Sequence, residues 1–182
     1  LRDEGYIQPA TIDTILSPEI DWDKTVAYCL GINGLYLNLQ GREKYGVVTP
    51  EQKEALLDEI IGKLKKLKDT DGTTVFRNIY KTSEVYQGDY TALAPDLLLG
   101  FYRGFRSSWT HGLGGMDKTI FMDNDSQWCA THCIDPLEVP GVLFCNKPIV
   151  LDAPRLIDVA PTVLSEFNVA IPDHMTGKRF LK

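Results

Sequence analysis

The stretch richest in groups able to do chemistry runs from Asp123 to Asn146, Asp-Asn-Asp-Ser-Gln-Trp-Cys-Ala-Thr-His-Cys-Ile-Asp-Pro-Leu-Glu-Val-Pro-Gly-Val-Leu-Phe-Cys-Asn. Its first half is polar and carries His132 between Cys129 and Cys133. Its second half contains an apolar run, Val142-Leu143-Phe144-Cys145, closed by Asn146-Lys147-Pro148. Such a run predicts a buried strand. An imidazole on the loop before a buried strand stands where ligands and catalytic groups usually sit, because loops carry function on a rigid scaffold.

Several side chains around it have two readings each. Cys129, His132 and Cys133, with Cys145 further on, carry the sulfur and nitrogen donors of a structural zinc site. Against that, adjacent His and Cys rarely aim at one metal, and Cys145 is expected to be buried in its strand. Arg103 and Arg106 flank a glycine-rich loop. A guanidinium fork suits phosphate oxygens, so substrate contact is one role for them and a solvated surface position the other. His111, in Trp109-Thr110-His111-Gly112, either lines a substrate cleft or lies on a surface loop. Trp109 and Trp128 are able to stack on a base or sugar, or simply to pack. Asp135 either orients His132 through a hydrogen bond or caps the turn at Pro136. Asp123, Asn124 and Asp125 lack the glycine and distal glutamate of a calcium loop and read as turn residues.

The elements that must position these groups are set by the periodicity. Residues 25–30 and 35–39, around the turn Gly31-Ile32-Asn33-Gly34, read as a strand pair or as one bent strand. Thr49-Pro50-Glu51-Gln52 is a helix start, and Ala55, Leu56, Ile60, Leu64 and Leu67 make its apolar stripe, running to about Lys68. Thr74 to Tyr80 reads as a strand and Lys81 to Tyr86 as a short helical turn. Ala94 to Phe101 is a continuous apolar strand of the kind buried on both faces. Asp152-Ala153-Pro154 opens a helix running to Phe167, interrupted at Pro161. Thr11 to Ser17 reads as a loop, and Leu1 to Gly5 as the last turn of a helix stopped by Gly5. The alternation of strands and helices predicts an α/β fold, a single domain over 1–182. Residues 25–86 form a small β-β-α-β layer in it, and 94–182 carry the C-terminal strands, the His132 loop and the last helix.

Composition narrows the function. With 182 residues, 43% of them hydrophobic, the chain is long enough for one real core. The net charge of −6 argues against a general nucleic-acid binder, which needs a basic face. No apolar run approaches the roughly 18 residues that span a bilayer. The four cysteines are not needed as disulfides in a chain of this size and composition. The chain begins with Leu1 and shows no basic-then-apolar leader, and the cut helix end at Leu1 to Tyr6 reads as an excised piece of a longer protein or as a processed or frayed native terminus.

Three stretches together resemble the C-terminal part of the alkaline phosphatase superfamily, in its type I phosphodiesterase/nucleotide pyrophosphatase branch. They are Ala94-Pro95-Asp96-Leu97-Leu98 with the glycine-rich loop, Thr131-His132 before Val-Pro-Gly, and Asp158-Val159-Ala160-Pro161-Thr162-Val163-Leu164. The loop Val169 to Gly177 resembles the segment after the family's last helix, and residues 28–86 resemble a bacterial subgroup. The resemblance implies a fold that is the C-terminal part of an alkaline-phosphatase-like sheet. It implies a hydrolase whose two divalent metal ions, zinc by family habit, activate a Thr or Ser nucleophile. His132 matches the family's last metal ligand. The nucleophile, the acidic ligands and the Asp-His-Gly motif lie upstream of the matching segment, and Asp173-His174 is in the wrong place to replace them.

The resemblance therefore implies no catalytic nucleophile here and a phosphoester or nucleotide as substrate. One imidazole cannot hold a catalytic metal, which takes about three protein ligands and an open position. These 182 residues alone are thus expected neither to hold metal stably nor to hydrolyse anything. Their main partner is then the N-terminal half of the same protein, with self-association through the open sheet as a second expectation. The rival class is a non-catalytic α/β binding or assembly domain.

Overall fold

The structure is a computed structural model that describes residues 1–10, 19–112, 115, 116, 119–128 and 130–182. The loop expected over 11–17 lies outside the described residues, as does Cys129. The fold is mixed α/β, with a small antiparallel sheet and a few helices. The chain divides into two compact units, Leu1–Pro140 and Gly141–Lys182.

The first unit is built on a four-stranded sheet in the order β1-β2-β4-β3. Strands β1 (Ala27–Leu30) and β2 (Gly34–Leu37) form the expected hairpin. Its turn passes through Gly31 at φ +73°, a conformation that glycine adopts without a Cβ clash. β3 (Phe76–Lys81) continues into the short helix α2 (Thr82–Val85). β4 (Leu97–Phe101) enters between β2 and β3 and runs antiparallel to both. β2 and β3 are therefore parallel to each other, joined through helix α1 (Pro50–Leu64), with the last strand inserted between them. The sheet thus joins residues 27–37 and 76–81 to a strand from beyond residue 94. β4 is buried on both faces, as its unbroken apolar sequence requires, but in an antiparallel rather than a parallel setting.

One sheet face carries the core: Ala27, Leu35, Leu37, Leu97, Leu99 and Phe101 share a cluster with Leu57 and Ile60 of α1. α1 begins where Thr49 and Pro50 place it, and the Gln52 side chain accepts the Thr49 amide at 3.0 Å. Of the expected stripe, Ile60 is buried and Leu56, Leu64 and Leu67 pack against the core; Ala55 is exposed, and Leu57, outside the expected stripe, is buried. Leu57 with Ile60, Ile61 and Leu64 makes a fuller i, i+3, i+4, i+7 face than Ala55 allows.

At the foot of β4, Asp96 is 3% exposed. It accepts the Leu37 amide at 2.8 Å and pairs with Arg42 and Lys53, each at 2.7 Å. Burial pushes its carboxyl upward, but Arg42 and then Lys53 outweigh burial and hold it below the ordinary carboxylate value. The carboxylate thereby satisfies a β2 amide at the point where β4 begins.

The second unit departs from expectation. Val142 to Cys145 is not a strand: Val142 is 80% and Phe144 91% exposed, and Cys145 is exposed rather than buried. An apolar run becomes a strand only when another strand completes its ladder. In this unit the described pairing is a single bridge between Ile149 and Leu181. Residues 152–154 are not helical. A 3-10 turn at Leu156–Asp158 leads into α4 (Val159–Glu166), with Pro161 in its first turn, where a missing amide hydrogen costs nothing. The helix is thus not interrupted at Pro161: the change of helix type falls before it, between Asp158 and Val159.

A polar knot holds the unit. The Asp158 carboxylate accepts the Arg155 amide at 2.8 Å and the Lys178 amide at 2.7 Å. The Thr162 hydroxyl donates to the Asp158 carbonyl at 2.6 Å and accepts the Phe180 amide at 3.1 Å. These bonds hold the Asp158 carboxyl below its ordinary value, the Lys178 amide first and the Arg155 amide second. Gly177 passes so near Ile157 that a Cβ there would collide with the Ile157 carbonyl. The Asp-Val-Ala-Pro-Thr segment and the later glycine thus have a local structural reason to occur together.

Candidate functional site

The His132 loop lies on the sheet face opposite the core, and a register change in β3 builds its seat. Phe76 pairs with Phe101, yet Asn78 pairs with the next residue, Gly100, so Arg77 is an extra residue in a bulge. Strict alternation would put Phe76, Asn78 and Tyr80 on one face. The bulge breaks that parity. Phe76 packs into the core with its ring 5.1 Å from that of Phe101, whereas Asn78 and Tyr80 turn to the other face.

There they meet Asp135, which is fully buried. One carboxylate oxygen accepts the Asn78 side-chain amide at 3.0 Å and the Tyr80 hydroxyl at 2.9 Å. The other accepts the Leu137 amide at 2.9 Å. The Asp135 amide donates to the Phe101 carbonyl at 3.0 Å, and its carbonyl accepts the Glu138 amide at 2.9 Å. Gly100 lies directly beneath, and a Cβ on it would collide with the carboxylate. Burial raises the Tyr80 hydroxyl pKa, and its bond to Asp135 adds to that.

Three residues earlier, His132 is exposed and makes no hydrogen bond or ion pair with the described residues. The turn at its side is shaped by the Cys133 amide donating to Thr131 Oγ1 at 3.1 Å. Of the two roles open to Asp135, the cap of the turn at Pro136 is formed, and the rest of its bonding goes to β3 rather than to the imidazole.

The two candidate arginines are tied to the same stretch. Arg103 Nε lies 3.4 Å from Glu138, which also pairs with Arg77 of the bulge. The Arg106 guanidinium stacks 4.5 Å from the Trp109 ring centre and donates to the Trp128 carbonyl at 3.5 Å. The glycine-rich loop and the His132 loop are thus interlocked at two points. His111 is half-buried on α3 (Trp109–Gly112). Trp109 and Trp128 are both largely exposed. Asp125 and its neighbours form no calcium loop: Ser126 donates to Asn124 at 2.7 Å, and the Asn124 amide to the Trp128 carbonyl at 3.0 Å.

Among the described residues, no three His, Cys, Asp or Glu side chains gather closely enough to hold a metal ion. His132 thus has no two such side chains close by among the described residues, and any metal on it would need further ligands from elsewhere. An open concavity of about 410 Å³ lies at residues 86–94, and none of the site residues chosen from sequence lines it. No helix among the described residues is long and apolar enough to cross a membrane. Sequence reasoning missed Asn78, Tyr80 and Gly100, because a single-residue bulge leaves no periodic trace. No family model, curated protein or solved structure matches the chain.

Proposed function

We propose that this chain is the C-terminal portion of a metal-dependent phosphoric-ester hydrolase of the phosphodiesterase or nucleotide pyrophosphatase type. In this reading His132 supplies one imidazole to a two-metal site whose nucleophile and other ligands lie upstream. When bound, two such ions, zinc by resemblance, stabilise the attacking and leaving oxygens of an in-line displacement. The chain's own contribution is to hold one imidazole in place, with Arg103, Arg106 and His111 as candidate contacts to a phosphoester or nucleotide. The observation that carries the reading is an exposed, unpartnered imidazole on a loop whose next turn is locked onto the sheet.

A second reading, a non-catalytic binding or assembly domain, is favoured by one observation. Val142, Phe144 and Leu156 of the Gly141–Lys182 unit are mostly exposed, a pattern suited to contact with a partner or a second copy.

The deciding experiment compares wild type with His132→Ala in protein expressed from the complete reading frame. Zinc content and turnover of bis-p-nitrophenyl phosphate are measured together. The hydrolase reading expects turnover to fall by about a hundredfold or more, with loss of metal. Wild-type turnover and metal content in the variant would remove the reading and leave the assembly domain standing.

A further inference from the structure

We infer that Asp135, seated on Asn78, Tyr80 and Gly100, is the positioning residue for the imidazole of His132. The inference rests on the hydrolase reading for its purpose, but its geometry stands on the sheet alone. Four features hold the turn at residues 135–138 to the sheet. The bulge at Arg77 turns Asn78 and Tyr80 away from the core and aims both donors at the same oxygen. Gly100, facing Asn78 across the ladder, leaves the space that oxygen occupies. The Asp135 amide lengthens the β4 ladder by one bond, to Phe101. Glu138, one turn on, is clamped by Arg77 of the same bulge.

A turn at Pro136 needs none of this. One carboxylate–amide bond, to Leu137, caps it. The two extra donors come from β3, more than fifty residues earlier, and their bonds offset the cost of desolvating the carboxylate while tying the loop to that strand. What they fix is the height and direction of the backbone at residues 131–135. The exposed imidazole emerges there with no bond of its own to orient it. A metal ligand outside any hydrogen-bonded partnership depends on its backbone for aim, since a displacement of a fraction of an ångström breaks coordination geometry.

The test has two arms. In the 182-residue chain, Asp135→Asn and the milder Tyr80→Phe are followed by amide exchange and by the His132 ring signal, assigned from its loss in His132→Ala. Asp135→Asn is expected to speed exchange over residues 131–138 by about tenfold or more, while the β1–β2 amides keep their protection. The His132 ring signal should broaden or divide. Unchanged protection and ring signal in a folded variant would overturn the latch. In protein from the complete reading frame, zinc itself is the probe. Asp135→Asn is expected to weaken its binding by about 10–100-fold, and Tyr80→Phe by less, in the same direction. A loosened loop with unchanged zinc affinity would make Asp135 a structural cap and overturn its positioning role. If wild type and His132→Ala bind zinc alike, the hydrolase reading falls and the purpose of the latch with it. The exchange arm still decides the geometry in that case.

Discussion

The two units of this chain are held together by different physics. In Leu1–Pro140 a sheet face and a helix bury a cluster of aliphatic and aromatic side chains. Stability there scales with apolar area removed from water, at roughly 25 cal/mol per Å². In Gly141–Lys182 the buried residues are few, and most are polar or imino: Asp158, Pro161, Thr162 and Phe180. That unit depends on a handful of directed bonds around Asp158 and Thr162. A core made of area loses stability with the area removed, whereas a knot made of bonds loses it one bond at a time.

Four measurements break or sharpen that contrast. The largest effect belongs to the area-driven unit. Leu97→Ala, at a fully buried site in the central strand, is expected to cost about 2–5 kcal/mol in chemical denaturation. A loss well below that range would mean the sheet's core is not what stabilises the first unit. Gly177→Ala comes next. Its Cβ has no room beside the Ile157 carbonyl, and about 1–3 kcal/mol of strain should appear as lost protection at the Phe180 amide. Wild-type protection there would show that the closing loop shifts freely. Thr162→Val keeps the shape and removes the hydroxyl. It strands the Phe180 amide at an expected cost of about 1 kcal/mol.

The smallest effect is the acid dependence that both units share. Asp96 and Asp158 have folded-state pKa values below their unfolded ones. Their stabilisation is therefore fully present above the ordinary carboxylate value of about 3.9 and is lost as pH falls through the folded values. Thermal midpoints should fall as pH drops below about 4, and Asp158→Asn should flatten the pH dependence of protection at the Lys178 amide. A midpoint unaffected by that acidification would contradict both carboxylate networks.

Local signals were readable from sequence wherever one residue type forces one local outcome. Thr49-Pro50 marked the start of α1, the glycine turn marked the β1–β2 hairpin, and the unbroken apolar run of β4 marked the centre of the sheet. What stayed hidden depended on distant partners. Val142-Leu143-Phe144-Cys145 has the pattern of a strand, but nothing in a local run reveals whether a neighbour exists to pair with it. The burial of Asp135 depends on a bulge and a glycine in two other strands, so the sequence left its role divided between cap and orienting acceptor. His132 could be singled out by position and by resemblance. Its exposure, and the seat beneath its loop, follow from the folded chain and not from any local run.

The strand order carries a consequence for how the polypeptide acquires its shape. During synthesis, β1, β2, α1 and β3 all leave the ribosome before the segment Leu97–Phe101 that must slide between them. Until then β2 and β3 each offer an unpaired edge, with no contact to one another to protect it. The nascent chain is thus most vulnerable to pairing with its neighbours just before residue 97 emerges. Any delay in translation at that point lengthens the interval in which misassembly competes with folding.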